Sequence, residues 1–289
     1  MEKIIEVKID DALHGKTVRY ILKNHLLLST ALIRRLKREN GVFLNGEVAK
    51  NHMTAKGGDT LTARITDGAS ENIEPTEMPL AILYEDADVI VINKPRSMPT
   101  HPSQNHHGDT LANGIMYYFR HETFTFRVIT RLDRDTSGIV LVAKNPLSAQ
   151  RLADAMQRGE IEKTYVAAVC GVPKEKEGVI IAPIRRKEDS VILRTVAADG
   201  KYAETAYKVE KEKDGIALLH LYPKTGRTHQ IRVHMAHIGT PIFGDDLYGA
   251  PEVGEKTRLH CVKITFPHPS TGEKTEVFAP VPSDIEKLF

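Results

Sequence analysis

Cysteine is scarce in this chain, and long apolar segments are missing from it. Its 289 residues include two cysteines. Cys170 and Cys261 are far apart and flanked by apolar residues, which is typical of packed, reduced thiols rather than of a disulfide or a structural zinc site. No apolar run approaches the roughly 20 residues that span a bilayer, and the first residues lack the apolar stretch of a signal peptide. We therefore expect a cytoplasmic protein that does not enter a membrane.

Motifs for nucleotide, nucleophile and metal chemistry are also lacking. The segment 15–17, Gly-Lys-Thr, resembles the end of a phosphate-binding loop, but Asp10 occupies the position of the first glycine. Neither Gly-x-Ser-x-Gly nor Gly-x-Gly-x-x-Gly occurs. His229, His234 and His237 are close in sequence, but the spacing from 229 to 234 does not place both rings on one helical face. The sequence predicts no metal site and no cofactor.

The net charge does not by itself indicate a nucleic-acid partner. Lys and Arg total 40 against 38 for Asp and Glu, a net charge of +2. The distribution is more informative, because basic residues concentrate near the N-terminus. This basic patch contains Lys16, Arg19, Lys23, Arg34, Arg35, Lys37 and Arg38.

Length and element pattern predict two domains. A chain of 289 residues is long for one core, and a content of 41% hydrophobic and 27% charged residues is ordinary for a soluble protein. We predict a small α+β domain over 1–66, a flexible linker of low apolar content over 67–79, and a larger domain over 80–289. In the larger domain, predicted strands outnumber helices. This favours an α+β fold with a mixed, largely antiparallel sheet.

The N-terminal segment predicts a compact module. Leu32, Ile33 and Leu36 form an apolar stripe on a helix capped by Ser29 or Thr30. A strand and an Asn-Gly turn follow. Over roughly residues 12 to 65, this order resembles the RNA-binding domain named after ribosomal protein S-four. The resemblance implies that the second helix presents cations to RNA phosphates, and the alternative is a solvated basic helix without a ligand. The cations are Arg34, Arg35, Lys37 and Arg38.

Several elements of the larger domain are predicted from capping and periodicity. An apolar hairpin spans 82–92, a helix spans 110–119, and Asn145 caps a helix that starts with Pro146. That helix is expected to direct Leu147, Leu152 and Met156 inward. Further strands are predicted at 137–144, 164–169, 178–184, 205–211, 216–221, 260–266 and 276–279.

The segment 130–138, Thr-Arg-Leu-Asp-Arg-Asp-Thr-Ser-Gly, places two acids and two arginines directly before a β-branched strand. A carboxylate buried at such a strand edge needs a cationic partner, although a solvated turn with salt bridges is the alternative. The whole segment resembles the signature of RluA-type pseudouridine synthases, His-Arg-Leu-Asp-x-x-Thr-Ser/Thr-Gly. The resemblance implies that Asp133 is the catalytic residue. Thr130 replaces the usual His.

Two further segments extend this resemblance over about residues 80 to 280. The segment 163–165 matches the family's Lys-x-Tyr motif, and 226–234 matches Gly-Arg-Thr-His-Gln-Ile-Arg-Val-His. By this resemblance, Tyr165 stacks on the target base and is a possible proton acceptor. Arg232 is the ion-pair partner of Asp133, and Ile231 covers the base. Arg131 occupies the space that the flipped base leaves, with a salt bridge to Asp135 as its alternative role.

The resemblance implies isomerisation of uridine to pseudouridine in RNA. The C1′–N1 glycosidic bond breaks, the uracil turns in its pocket, and C5 bonds to C1′. Asp133 could attack C1′, attack the uracil ring or remove a ribose proton, and the sequence leaves all three routes open. The expected substrate is ribosomal RNA, with the large subunit favoured and transfer RNA possible. The expected protein is a monomer, and the alternative function is a non-catalytic RNA-binding or ribosome-assembly factor.

Overall fold

The structure is a computed structural model that describes residues 2–68, 72–249 and 256–289. Its N-terminal module contains a four-stranded antiparallel sheet in the order β1-β4-β2-β3. The strands are β1 (Glu2–Lys8), β2 (Val42–Leu44), β3 (Glu47–Val48) and β4 (Thr60–Thr66). Sequence patterning did not predict β1, because its residues only alternate between half-buried and exposed positions at a sheet edge.

Two helical segments cover this sheet. The first is a single turn, α1 (Val18–Tyr20), continued by a wide turn over Ile21–His25, and the second is α2 (Thr30–Arg38). Ser29 caps α2, because its side chain accepts a hydrogen bond from the backbone N–H of Leu32. The predicted apolar stripe of α2 is confirmed, since Leu32, Ile33 and Leu36 are all buried.

The larger domain is organised around a sheet of ten strands with one parallel pair. The strand order is β10-β13-β14-β9-β15-β8-β6-β5, with β16 beside β15 and β7 beside β8. All these pairs are antiparallel except β15 and β8. The predicted mixed, largely antiparallel α+β fold is therefore confirmed. The strands are β5 (Ile82–Glu85), β6 (Val89–Lys94), β7 (Arg127–Val128), β8 (Ser137–Ala143), β9 (Glu162–Cys170), β10 (Glu177–Ile181), β13 (Glu204–Lys213), β14 (Ile216–Pro223), β15 (Leu259–Pro267) and β16 (Lys274–Phe278).

A separate ribbon and four helices complete the larger domain. The predicted strand over 178–184 is divided, because the sheet strand ends at Ile181 and Ile184 begins a two-stranded ribbon. The ribbon consists of β11 (Ile184–Arg186) and β12 (Arg194–Val196). The helices are α3 (Leu111–Tyr118), α4 (Pro146–Gln157), α5 (Gln230–His237) and α6 (Ser283–Glu286). Among the described residues, no helix combines the length and the apolar character that a membrane crossing requires.

Helix α4 begins as the sequence predicts. Asn145 caps it by accepting a hydrogen bond from Ser148 N, and Pro146 occupies its first turn. Leu147 and Leu152 are buried as expected, whereas the inward placement of Met156 is wrong, because that side chain is 40% exposed. Met156 instead lies at the rim of the cavity described below.

The two domains contact each other through α4 and the N-terminal strand. Leu147 belongs to the apolar core of the N-terminal module. Gln150 accepts a hydrogen bond from Ser29 N at 2.7 Å and donates one to Leu27 O at 2.8 Å. Lys3 forms an ion pair of 2.9 Å with Asp88. Helix α4 therefore links the start of α2 to the cavity.

The predicted linker is anchored to the larger domain over its described part. Asp67, whose side chain is buried, pairs with Arg127, and Asn113 Nδ2 donates to Glu74 O at 2.7 Å. Thr76 N also donates to Asn113 O. The expectation of a flexible linker does not fit these contacts. Residues 69–71 lie outside the described residues, and the boundaries at 66 and 80 stay a prediction.

Candidate active site

A cavity of about 320 Å³ opens where the loop before β8, the start of β9 and the start of α5 meet. It brings together five of the predicted site residues, which come from three segments spread over about 100 residues of the chain. These residues are Arg131, Asp133, Tyr165, Ile231 and Arg232.

Hydrogen bonds to the backbone hold the loop that carries Asp133. Thr100 Oγ1 donates to Leu132 O at 2.8 Å, and Thr136 N donates to Asp133 O at 3.2 Å. Thr130 is buried, and its hydroxyl accepts a hydrogen bond from Leu141 N at 2.9 Å. In this chain, the residue that replaces the usual His therefore fixes the loop to strand β8.

Lys94 supports the same loop from behind. Its side chain is fully buried, and its Nζ donates hydrogen bonds to the carbonyl oxygens of Pro95, Met98 and Arg134. Burial lowers the pKa of Lys94 to about 7, although the negative charges of Asp133 and Asp135 oppose this shift. Lys94 thus joins the end of β6 to the residue that follows Asp133.

Gly138 allows the loop to enter the sheet. Its φ is +110°, and an added Cβ would lie 2.3 Å from Cys261 O. This close approach is where β8 pairs with β15 in parallel, with Ser137 opposite His260 and Gly138 opposite Cys261. A side chain at 138 would separate the two strands and move the loop.

Asp133 faces the cavity and is not fully buried. Its exposure is intermediate, and within the described residues no hydrogen bond or ion pair reaches its carboxylate. The carboxylate is consequently available to a ligand. The expectation that Asp133 is a buried carboxylate in direct need of an ion-pair partner does not match this geometry.

The contacts of Arg232 contradict the expected ion pair between Arg232 and Asp133. Its Nε donates to Asp245 Oδ2 at 2.7 Å and its Nη2 to Asp245 Oδ1 at 2.6 Å, and Asp246 lies 3.5 Å away. The acidic residue in contact with Arg232 is therefore Asp245, not Asp133. Burial tends to lower the pKa of Arg232, but the hydrogen bond and charge of Asp245, with a further contribution from Asp133, raise it. Arg232 is fixed as a cation beside Asp133 without a direct ion pair to it.

Tyr165 forms part of the apolar wall. It is buried, with 5% of its surface exposed. Burial raises the pKa of Tyr165 well above 10, and Cys261 and Asp133 add to the shift. Near neutral pH the residue is a neutral phenol. Ile231 is buried in the same cavity wall.

Arg131 lies exposed at the cavity rim. The alternative role suggested for it, a salt bridge to Asp135, is not what the structure contains. Asp135 is paired with Arg134, whose Nη2 lies 3.1 Å from Asp135 Oδ2. The side chain of Arg131 is therefore not committed to that carboxylate.

The histidines of α5 have separate structural environments. His229 precedes the helix in a left-handed conformation, with φ +57°, and its Nδ1 lies 2.8 Å from Tyr248 Oη. Burial lowers its pKa. His234 is buried between Thr205 and the carbonyl of Ala182. These contacts separate the rings rather than directing them to one point.

Among the described residues, a different cluster has ligand atoms close enough for a metal: Asp86, Asp88 and His268. Its carboxylates already accept hydrogen bonds from several side chains. The donors to Asp88 are Lys3, Asn145, Ser148 and Ser270, and the donors to Asp86 are Tyr84 and His268. The cluster is explained as a network that joins the two domains.

Sequence reasoning missed three residues of the site region. Lys163 and Thr136 line the cavity, and Asp245 holds Arg232. Lys163 and Thr136 belong to the matched motifs, and Asp245 lies in the segment 244–249, which resembles a family segment but is equally explained as an ordinary turn. Their positions in these motifs were therefore a sign that Lys163 and Thr136 belong to the site. The ion pair of Asp245 depends on a contact across 13 residues that no spacing rule predicts.

The basic residues of α2 lie outside the cavity and have unequal surroundings. Arg34 and Lys37 are exposed. Arg38 is 77% exposed and lies 3.6 Å from Glu39. Arg35 is engaged within the module, since it pairs with Glu39 at 2.9 Å and donates to Thr66 O at 2.7 Å. Arg35 is therefore less available to a ligand than the other three.

Comparison with known proteins defines the class of this site. The family model described as RNA pseudouridylate synthase matches residues 88–237, which include Asp133, Tyr165 and Arg232. The chain is 40% identical over 268 residues to the uncharacterized RNA pseudouridine synthase YjbO of Bacillus subtilis, covering 91% of this chain and 94% of that protein. The chain belongs to the RNA pseudouridylate synthase family, and the protein is an RNA pseudouridine synthase.

Two further relatives support this assignment. The ribosomal large subunit pseudouridine synthase D of Vibrio cholerae is 35% identical over 268 residues, with 86% of this chain and 82% of that protein covered. The solved structure of human RNA pseudouridylate synthase domain containing 1 superimposes with a TM-score of 0.62 at 26% identity, covering 73% of this chain and 87% of that chain. The predicted enzyme class is thereby confirmed.

Proposed function

We propose that this enzyme isomerises uridines of ribosomal RNA, with the large subunit as the favoured source. The name of the Vibrio cholerae relative, which spans most of both chains, supports this substrate. The single observation that carries the proposal is the cavity in which Asp133, Tyr165 and Arg232 meet. Because the proposed substrate is ribosomal RNA, we also place the protein in the cytoplasm.

Asp133 is the catalytic carboxylate in this proposal. Its carboxylate faces the cavity, and the hydrogen bonds described above hold the backbone of its loop. Arg232, held by Asp245, provides a fixed positive charge nearby. A cation near the reacting carboxylate is needed because a bound base excludes water from the cavity and leaves negative charge there without solvation. The three routes from Asp133 to the product share this requirement.

Tyr165 is the stacking surface for the uracil, and Ile231 closes the opposite side. The raised pKa of Tyr165 favours stacking over proton abstraction, because a neutral phenol has to lose its own proton before it can accept one from C5. The target nucleotide must first leave its helix or loop stack, at a cost of a few kcal/mol. Arg131, exposed at the rim, then occupies the space that the base has left.

The N-terminal module, which we propose is similar to the ribosomal protein S-four domain, grips RNA phosphates. Arg34, Lys37 and Arg38 carry most of this contact because they are exposed, whereas Arg35 is engaged with Glu39. Gln150 joins α4 to the cap of α2, so RNA held on α2 runs toward the cavity along α4. A single chain contains both the grip and the catalytic cavity, which supports activity as a monomer.

The function is tested by mapping pseudouridine in ribosomal and transfer RNA from cells with and without the gene. Carbodiimide labelling followed by reverse transcription marks each pseudouridine as a stop. We expect one or a few stops in large-subunit RNA to disappear and to return with the wild-type gene, but not with Asp133→Asn. If no stop disappears and the purified protein modifies no site in unmodified RNA, the proposed substrate is wrong and a non-catalytic role in ribosome assembly becomes the better explanation.

A further inference from the structure

Five side chains of the cavity wall carry a basic nitrogen. The contacts, protonation state or exposure of four of them leave no unexplained feature. Arg232 is held by Asp245, and Arg227 is exposed and donates from Nε to Tyr202 O. Burial lowers the pKa of His229, so this ring is neutral near pH 7. Arg131 lies exposed at the rim. The remaining side chain is that of Lys163.

Lys163 is positioned beside the stacking surface. It lies two residues before Tyr165 on β9, so both side chains project from the same face of the strand. Its Nζ is 5.9 Å from the centre of the Tyr165 ring. Over residues 2–68, 72–249 and 256–289, no hydrogen bond or ion pair occupies this Nζ. A base stacked on Tyr165 would thus have an ammonium group with free donors close to its edge.

The reaction creates a need for such a donor. When the C1′–N1 bond breaks, the bonding electron pair leaves with N1, and the uracil carries a negative charge spread over N1, O2 and O4. Attack on the uracil ring would also place negative charge on its carbonyl oxygens. A fixed donor at the position where this charge develops lowers the barrier in a site from which water is excluded.

We propose that Lys163 is a further catalytic residue, whose ammonium group donates a hydrogen bond to a carbonyl oxygen of the uracil and stabilises its negative charge. No proton is transferred in this step. The charge disappears when C5 donates an electron pair to C1′; the C5 proton is then lost to a base and N1 takes up a proton, which gives neutral pseudouridine. This inference rests on the proposed function, since it assumes the uracil stacks on Tyr165.

The first test compares Lys163→Met, which removes the charge at similar length, with Lys163→Arg, which keeps it. Single-turnover pseudouridine formation is measured with saturating enzyme on a transcript that the wild type modifies. We expect about a 100-fold slower reaction for Lys163→Met, the usual effect of removing one such donor, and partial recovery in Lys163→Arg. RNA affinity should stay within about twofold. The matched control is Lys208→Met, which removes an exposed lysine of β13.

The second test compares the pH dependence of the reaction rate in the wild type and in Lys163→Arg. It does not require Lys163→Met to be active. Burial lowers the pKa of Lys163, opposed by Cys261 and Asp133, and the reactive form is the protonated one. The wild-type rate should therefore fall as pH rises through this lowered pKa. In Lys163→Arg, the fall should move to higher pH or vanish, because a guanidinium does not deprotonate there.

The other titratable groups around Lys163 do not explain the expected difference between the two pH profiles. Burial raises the pKa of Cys261 on β15 to about 11, Tyr165 titrates well above 10, and the pKa of His229 is lowered. Against the effect of burial, the hydrogen bond and charge of Asp245 raise the pKa of Arg232, which is charged throughout the alkaline range. Lys94 lies behind the loop and is present in both enzymes, so the difference between wild type and Lys163→Arg reports position 163.

The outcomes separate this inference from the proposed function. If the wild type forms no pseudouridine in any RNA, the proposed function fails. If the wild type is active, the inference is overturned by a Lys163→Met rate within about threefold of wild type. It is also overturned by equal losses in the Met and Arg variants together with an unchanged alkaline limb. If Lys163→Met does not fold, as judged by circular dichroism, the pH profile of Lys163→Arg decides alone.

Discussion

Arg232 and Asp245 form a two-point ion pair in which both side chains are almost completely buried, with 2% and 0% of their surfaces exposed. Removing one partner leaves an uncompensated charge in a region with little water. We expect Asp245→Asn to lower the free energy of unfolding by about 3–5 kcal/mol. Urea denaturation measures this change. Asp246→Asn is the matched control, since Asp246 is 60% exposed and lies 3.5 Å from Arg232. An equal loss in both variants would contradict the special role of Asp245.

Asp133→Asn should abolish pseudouridine formation and leave RNA affinity nearly unchanged. The amide keeps the size of the side chain but removes its negative charge, and no side chain in the described part of the structure depends on that charge for a hydrogen bond. Asp135→Asn, which breaks the pair with the half-exposed Arg134, should keep activity within a few-fold. Turnover is measured on RNA from cells that lack the gene, and substantial activity in Asp133→Asn would remove this residue from the mechanism.

Gly138→Ala should destabilise the protein severely and displace the loop that carries Asp133. The added methyl group would lie 2.3 Å from Cys261 O, and the backbone φ of +110° is unfavourable for alanine. We expect a loss of several kcal/mol in the free energy of unfolding. Gly215→Ala is the comparison, because φ is +77° there but no atom lies within 4 Å of the new Cβ. It should cost only about 1–2 kcal/mol, and similar melting temperatures for the two variants would show that the close contact is not decisive.

Replacing Arg34, Lys37 and Arg38 by Gln should weaken RNA binding and reduce its salt dependence. Each lost phosphate contact lowers the slope of log affinity against log salt by about 0.7 to 0.9. The variant Arg35→Gln should change the slope less, because Arg35 is engaged with Glu39 and Thr66. Filter binding between low and moderate salt provides the measurement. A slope equal to that of the wild type would show that α2 does not hold the RNA backbone.

Asp88 should make the protein sensitive to acid. Burial tends to raise its pKa, but hydrogen bonds from Ser270, Ser148, Lys3 and Asn145 outweigh this and lower it below the ordinary 3.8. A carboxyl group with a lowered folded-state pKa stabilises the fold above its unfolded pKa; this stabilisation decreases as pH falls below about 4 and is lost only as pH falls through the folded-state pKa. Asp88→Asn should therefore reduce the free energy of unfolding at pH 7 by about 3 kcal/mol and by less at pH 3, where part of this stabilisation is already lost. The exposed Asp189→Asn should show no such difference between the two pH values.

The sequence by itself determined the local elements and the enzyme class. Ser29 and Asn145 cap helices because their side chains satisfy backbone N–H groups only a few residues away, and such contacts are visible in the order of residues. The segments around Asp133, Tyr165 and Arg232 resemble family motifs because the chemistry restricts residues that are adjacent in the chain. Both kinds of information are local.

The tertiary structure alone decided which charges meet. The sequence indicates that Asp133 needs a cation and, by resemblance, that Arg232 is its partner, but the packing of α5 against the segment at Asp245 pairs Arg232 with Asp245 and leaves Asp133 open to the cavity. Likewise, the docking of α4 on the N-terminal module through Leu147 and Gln150 depends on surfaces formed by distant segments. Charged side chains have several partners of suitable sign, and burial and distance select among them only after the chain has folded.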